Sequence, residues 1–364
     1  MTWQFVDQHK NTQTVFDDNY DMAKENTKGS GGRDTKPKPD EKGESATPST
    51  ASTTGNGRQV PGALSTSSGP GPRITLTGAQ QTNLATLCAR AQDAKSAKPL
   101  LNDTWALHVL EQVPGYDFTG VAPGALTSSA VVKRALTLDR WAASFLERNP
   151  RATVIHLACG LDSRCLRLRW GGDGGGVGAK PDVCWVDLDL PDVVALRRQL
   201  LPSPSGPGLD YRLVAASVAE ESWLADVPAD RPTLIIMEGL SMYLTEKDGI
   251  ALLRRLLKRF PSGSLLFDCV GSVVLRAQGL IAILRHTGAS FAWGIDYPRY
   301  LELLDERLRL VETVGPLGMM SSFVESELVP APVRLAVRGA RVCAVFETGG
   351  GACYAGYNNA GGLL

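Results

Sequence analysis

At 364 residues the chain is long enough for about two domains of ordinary size. Its 38 basic and 38 acidic side chains cancel, which removes the electrostatic footprint of a nucleic-acid or anionic-membrane partner. A hydrophobic share of 43% supplies a normal core, but no run approaches the roughly 18 apolar residues of a membrane span. The first twenty residues carry Asp7, Asp17 and Asp18 and match neither a secretory signal nor a transit peptide. Seven dispersed cysteines, without a CxxC pair or a Cys/His cluster, fit a reducing compartment and predict a cytoplasmic protein with no metal centre.

Residues 1–73 are rich in Lys, Asp, Gly, Ser, Thr and Pro, and 26–72 hold almost no large apolar side chain. Such a segment cannot bury enough surface to offset its chain entropy, so a disordered tail is expected, followed by one domain over 74–348. Leu84, Leu87, Cys88 and Ala91 have helical spacing, and Asn102 or Asp103 can cap a second helix through Trp105 and Leu110. A third helical pattern runs from about 128 to 148 and stops before Pro150.

The first convincing strand covers 153–158 and is followed by apolar or β-branched runs at 183–187, 211–215, 233–237 and 264–268. Helical patterns at 191–200, 246–260 and 271–287 lie between or after them. This alternation predicts an α/β fold with a doubly wound, mostly parallel sheet under helices on both faces. Runs at 333–337 and 342–346 predict a closing hairpin, or a last strand with an irregular partner, and the Gly-rich stretch 349–364 reads as a loose tail.

Three segments carry candidate chemistry. After the first strand, Ala158, Cys159, Gly160, Leu161, Asp162 and Ser163 make a small-residue turn that lets backbone amides approach a ligand, without the glycine spacing of a pyrophosphate loop. Asp187 and Asp189 close the second strand, where a carboxylate can accept from both hydroxyls of a ribose; one of the two can instead cap the helix entered through Pro191. Glu238 ends the fourth strand, and a carboxylate in that place needs a cation or several donors. His156 lies inside the first strand and is expected to be a core histidine rather than a base.

Taken together these segments resemble the leucine carboxyl methyltransferase family. The resemblance rests on Arg134 with Asp139 and Phe145, Leu157 to Arg164, Trp185 to Val193, Ser217 and Val218 with Trp223, and Glu238 to Leu244. Within that family the chain is most similar to the polyketide O-methyltransferases of the tetracenomycin type. Ala89 to Ala91, Leu100 to Asp103, Phe291 to Ile295 and Leu308 to Leu310 extend the match over residues 80–346. The resemblance implies a Rossmann-like class I methyltransferase fold with an antiparallel C-terminal strand, a helical N-terminal lid, S-adenosylmethionine as cofactor, and a small-molecule acceptor.

Carried over residue by residue, it implies that Arg134 pairs with the cofactor carboxylate and that Ala158, Gly160 and Asp162 form the turn beneath it. Asp187 and Asp189 include the ribose ligand, Ser217 and Val218 flank the adenine, and Glu238 faces the methionine end. Arg90 is a further candidate for a cofactor or substrate carboxylate, and Tyr243 for orienting the acceptor. The family's turn begins with Gly where this chain has Ala158, a replacement expected to need a negative φ there. A protein C-terminal carboxylate, a nicotinamide-dependent dehydrogenase and a binding protein without turnover are the alternatives.

Overall fold

The carboxyl ends of four strands set the stage for everything functional. The computed structural model describes residues 76–113, 117–168, 182–315 and 343–348, so the expectations for 1–73, 333–337 and 349–364 fall outside the described residues. The strands are β1 (Arg151–Leu157), β2 (Asp182–Asp189), β3 (Leu209–Ala215), β4 (Thr233–Met237), β5 (Gly263–Asp268), β6 (Arg309–Val314) and β7 (Cys343–Thr348). They form one sheet in the order β3-β2-β1-β4-β5-β7-β6. The first five are parallel, and β7 runs antiparallel to both β5 and β6. This is the doubly wound class I methyltransferase architecture, with its topological switch between β1 and β4.

The helices are α1 (Thr82–Lys95), α2 (Thr104–Glu111), α3 (Ala125–Arg148), α4 (Arg164–Arg167), α5 (Pro191–Leu200), α6 (Glu246–Arg259), α7 (Ser272–Arg276) and α8 (Ala282–Thr287). Alternation along the strands sorts side chains to two faces. Ile155, Leu157, Val186, Ile235, Met237 and Phe267 pack with Leu252, Leu253 and Leu256 of α6 on one face. Val154, Trp185, Leu234, Ile236 and Leu266 pack with Leu138, Trp141 and Phe145 of α3 on the other. A third cluster joins Leu84, Leu87 and Ala91 of α1 and Trp105 and Val109 of α2 to Val193, Leu196 and Leu200 of α5. The N-terminal helices thereby sit over the second strand's connection.

Asp103, not Asn102, caps α2: its side chain accepts from the Ala106 N–H at 3.1 Å. Two expectations need correction. The stretch 271–287 is not one helix but α7, a 3₁₀ turn at Gln278–Leu280, and α8, which ends where Gly288 turns to φ +69°. The last strand lies between β5 and β6, the latter over Arg309–Val314, in place of the expected hairpin. The charged Arg309 and Glu312 of β6 obscure the apolar signal, and its burial is partial, as befits an edge.

Candidate active site

Register alone gathers the site. Leu157 pairs with Leu188 on one side and Met237 on the other, and Met237 pairs with Phe267. The residues that follow, Ala158, Asp189, Glu238 and Asp268, therefore leave four neighbouring strands at one level. Three carboxylates and a turn thus line the crevice that the switch point opens.

The turn is built on two left-handed residues, Ala158 at φ +51° and Gly160 at φ +54°. The expectation of a negative φ at Ala158 is overturned: the backbone keeps a glycine-like conformation and the Cβ is accommodated at a cost of about 1–2 kcal/mol. Gly160 donates its N–H to Asp189 Oδ2 at 2.7 Å, and Leu190 donates to Oδ1 at 2.7 Å. Burial pushes the Asp189 carboxyl upward, against the lowering effect of these two N–H groups. The structure separates the two acids of β2. Asp187 is fully enclosed: Arg197 and Tyr211 donate to its Oδ2 at 2.6 and 2.8 Å, and Trp185 donates to its Oδ1 at 2.8 Å. It faces inward on the strand, where no ribose can reach it, and it caps no helix. Asp189 is the one of the two at the carboxyl end of the strand.

Across the switch point runs a buried lattice of arginines and carboxylates. Arg134 of α3 reaches Glu238 Oε1 through Nε at 3.1 Å and Asp268 Oδ2 through Nη1 at 2.8 Å. Arg164 grips the other Glu238 oxygen at 2.6 Å, Asp139 Oδ1 at 2.7 Å and Asp162 Oδ2 at 3.1 Å. Arg167 binds Asp139 at 2.7 Å and also contacts Asp162, while Arg90 of α1 holds Asp162 at 2.7 Å and lies 3.6 Å from Asp103. His156 lies between Asp187, at 3.5 Å, and Arg164, at 3.3 Å, buried as expected. Burial by itself would raise the carboxyls of Asp162 and Glu238. Arg164, Arg167 and Arg90 outweigh it at Asp162, holding that group well below the usual carboxylate range. Arg134 and Arg164 outweigh it at Glu238, which sits at about 2. Asp268 goes the other way, raised chiefly by burial.

Beside this lattice lies a cavity of about 280 Å³. Arg90, Arg134, Ala158, Asp162, Glu238 and Tyr243 all line it, together with residues from α1, the 120–124 loop and 281–283. Tyr243 donates its hydroxyl to Thr82 Oγ1 at 3.3 Å and stands edge-on to Phe291 with ring centroids 5.3 Å apart. Ser217 and Val218 are not part of this cavity wall. They occupy the loop after β3, where Ser217 Oγ accepts from the Ala219 N–H and Arg255 of α6 holds the Val218 carbonyl at 2.5 Å.

The family profile for leucine carboxyl methyltransferase matches residues 83–257. The tetracenomycin polyketide synthesis O-methyltransferase TcmP of Streptomyces glaucescens is 43% identical over 66% of this chain and 84% of its own length. The S-adenosyl-L-methionine-dependent methyltransferase dpfgK of Gibberella zeae is 41% identical over 63% and 80%. The chain belongs to the leucine carboxyl methyltransferase family. It is an S-adenosylmethionine-dependent O-methyltransferase. Among solved structures, a DUF574 family protein from Streptomyces avermitilis aligns over 74% of this chain and all of its own at 14% identity, with a TM-score of 0.43.

For a member of this family, the donor set suits the cofactor. Arg90, Arg134, Arg164, Arg167 and Arg197 face six carboxylates, those of Asp103, Asp139, Asp162, Asp187, Glu238 and Asp268. Carboxylates outnumber guanidiniums in this cluster, and a ligand bearing a sulfonium, an ammonium and one carboxylate brings one positive charge. Asp139 and Arg164 enter the sequence reading only as part of the family resemblance and without a role, and Asp268 and Arg167 are given no role in it, although Asp268 ends an apolar run as Glu238 does. Among the described residues no Cys, His, Asp and Glu set has the grouping of a metal site.

Proposed function

We propose that this methyltransferase esterifies a carboxylate on a small, largely apolar acceptor of the polyketide type. The observation that carries the reading is the chemistry of the cavity wall, which holds no group poised to remove a proton. Asp162 and Glu238 are locked in ion pairs, and burial raises the Tyr243 hydroxyl and the Cys159 thiol. His156 touches the cavity but is buried and held against Arg164 at 3.3 Å and Asp187 at 3.5 Å. A carboxylate acceptor is already ionised at neutral pH, whereas a phenol with a pKa near 10 calls for a base. The remaining wall, with Val121, Pro123, Val131, Met242, Ile283 and Phe291, suits a flat apolar body. TcmP, named for O-methylation in tetracenomycin polyketide synthesis, supports the same acceptor class.

The cofactor, when bound, supplies a methyl group already activated on a sulfonium. In this reading the chain does the rest by placement. Asp189 accepts from the ribose hydroxyls, and Ser217 and Val218 flank the adenine. Glu238 and Asp162 face the cationic end. Arg134 and Arg90 face carboxylates, and Tyr243 with Phe291 aligns the acceptor. The lid excludes water, and alignment of this kind contributes about 7–11 kcal/mol in favourable cases. Buried cysteines without a disulfide at 88, 159 and 184, among the described residues, support a reducing, cytoplasmic setting. Among the described residues no helix is long and apolar enough to cross a membrane.

The test is transfer of labelled methyl from S-adenosylmethionine to a panel of aromatic acids and matched phenols. Label released as methanol by mild alkali marks an ester and is expected; label retained in an alkali-stable aryl ether overturns the carboxylate assignment.

A further inference from the structure

We propose that Asn83 is a cofactor-contacting residue of the lid, donating its carboxamide N–H to an oxygen of the bound S-adenosyl ligand. This rests on the cofactor site argued above and adds to it a contact that comes from the opposite wall.

The argument begins with α1 as an amphipathic object with two useful sides. Leu84, Leu87, Cys88 and Ala91 are buried in the hydrophobic clusters or the core around them. Asn83, Thr86 and Arg90 recur at intervals of three and four and so share another face, and all three line the cavity. Two members of this polar stripe are already committed. Thr86 turns its hydroxyl back to the Asn83 carbonyl at 2.9 Å, and Arg90 is tied to Asp162 at 2.7 Å and to the Leu161 carbonyl at 3.2 Å. The Asn83 carboxamide makes no hydrogen bond to any described residue.

Its position gives the uncommitted group a meaning. A Cβ built on Gly160 would lie 2.7 Å from Asn83 Oδ1 and 3.1 Å from Nδ2. The carboxamide therefore rests directly on the left-handed glycine of the turn. The N–H of that same glycine binds Asp189, the strand-end carboxylate assigned to the ribose. Asn83 thus lines the cavity on the side of the glycine turn. A carboxamide offers two N–H donors, and the cofactor's carboxylate and ribose oxygens accept hydrogen bonds.

The experiment uses the full chain and S-adenosylhomocysteine as the probe. Isothermal titration compares wild type, Asn83→Ala and Asn83→Asp, and thermal unfolding confirms that each variant is folded, with Asn83→Ser in reserve for one that is not. The expected result is a loss of roughly tenfold in affinity for Asn83→Ala, of the order of one neutral hydrogen bond, and a larger loss for Asn83→Asp, which removes the donor and adds a negative charge. Amide exchange across residues 82–91 should slow on adding the probe to wild type and remain unchanged in Asn83→Ala. Affinity within twofold of wild type in folded Asn83→Ala or Asn83→Asp overturns the proposal while leaving the cofactor site standing. Failure of wild type to bind the probe overturns both.

Discussion

Arg134 and Glu238, 104 residues apart in the chain, meet at the carboxyl edge of the sheet with Nε 3.1 Å from Oε1. Neither depends on the other alone: Asp268 holds a second face of the guanidinium at 2.8 Å, and Arg164 holds the second carboxylate oxygen at 2.6 Å. Removing Glu238 leaves Arg134 on Asp268 and Arg164 on Asp139 and Asp162, whereas removing Arg134 leaves the buried Asp268 carboxylate only the Gly239 N–H among the described residues. Glu238→Ala is expected to lose less than the roughly 3–5 kcal/mol typical of breaking a buried pair, and Arg134→Ala to lose more than Glu238→Ala. Each should weaken S-adenosylhomocysteine binding by roughly 1.5–3 kcal/mol, the scale of a hydrogen bond to a charged group. Calorimetric titration checks this, and unchanged affinity in both variants would remove the pair from the cofactor site.

The same lattice makes a pH prediction. Burial pushes the Glu238 carboxyl up, but Arg134 and Arg164 outweigh it and hold the group at about 2. An unfolded Glu titrates near 4.3, so the folded value is the lower one. The stabilisation is then complete above about pH 4.5 and is lost as pH falls through that value towards 2. Asp162, also depressed, adds to the acid lability, whereas Asp268, raised by burial, works against it. Tm measured from pH 5 down to about pH 2.5 should fall more shallowly in Glu238→Gln than in wild type. Parallel slopes would show that Glu238 titrates as an ordinary surface acid.

Ala158 offers a gain rather than a loss. It occupies a left-handed conformation, φ +51°, that an L residue with a Cβ adopts only at a cost of about 1–2 kcal/mol. Its methyl group packs at the margin of the sheet's core, so part of that gain is returned when the methyl is removed. Ala158→Gly should raise stability by roughly 0.5–1 kcal/mol, about 2–3 °C in Tm for a domain of this size. A fall in Tm on calorimetry would mean that the methyl contact outweighs the backbone strain.

How much of this was legible beforehand follows from what kind of signal each feature has. Parallel strands buried on both faces announce themselves as apolar runs, so β1, β2, β4 and β5 were visible, and so were the acids Asp189 and Glu238 that end two of them. The α5 boundaries were readable because Pro191 sets the start. β6 was not, since an edge strand carries Arg309 and Glu312 and its identity depends on pairing with a distant segment, β7. The sealing of Asp187 was also hidden: two acids two residues apart on a strand look equivalent until the neighbours are known. Only the fold places Arg197 and Tyr211 over one of them. The positive φ at Ala158 ran against residue preference, because the geometry of the turn overrode the local cost.

The last prediction concerns the lid. A Cβ on Gly120 would fall 2.3 Å from Cε1 of the His286 ring, so the 120–124 loop and α8 are fitted together at a point with no space for a methyl group. Both walls of that junction contribute to the cavity, the loop through Val121 and Pro123, and α8 and its approach through Ile281 to Ile283. Gly120→Ala must displace the imidazole and with it one wall of the acceptor half, while the Asp189 and Glu238 end of the cleft is untouched. Overpacking of this kind typically costs about 1–3 kcal/mol, and here it should appear as a several-fold rise in acceptor KM with S-adenosylhomocysteine affinity unchanged. His286→Ala in the Gly120→Ala background should restore most of the loss, because the two sites are in contact and their effects are not additive. Gly279→Ala, where a Cβ meets nothing within 4 Å, serves as the neutral control. Equal losses in cofactor affinity and acceptor KM would show that the junction supports the whole cleft instead of the acceptor wall alone.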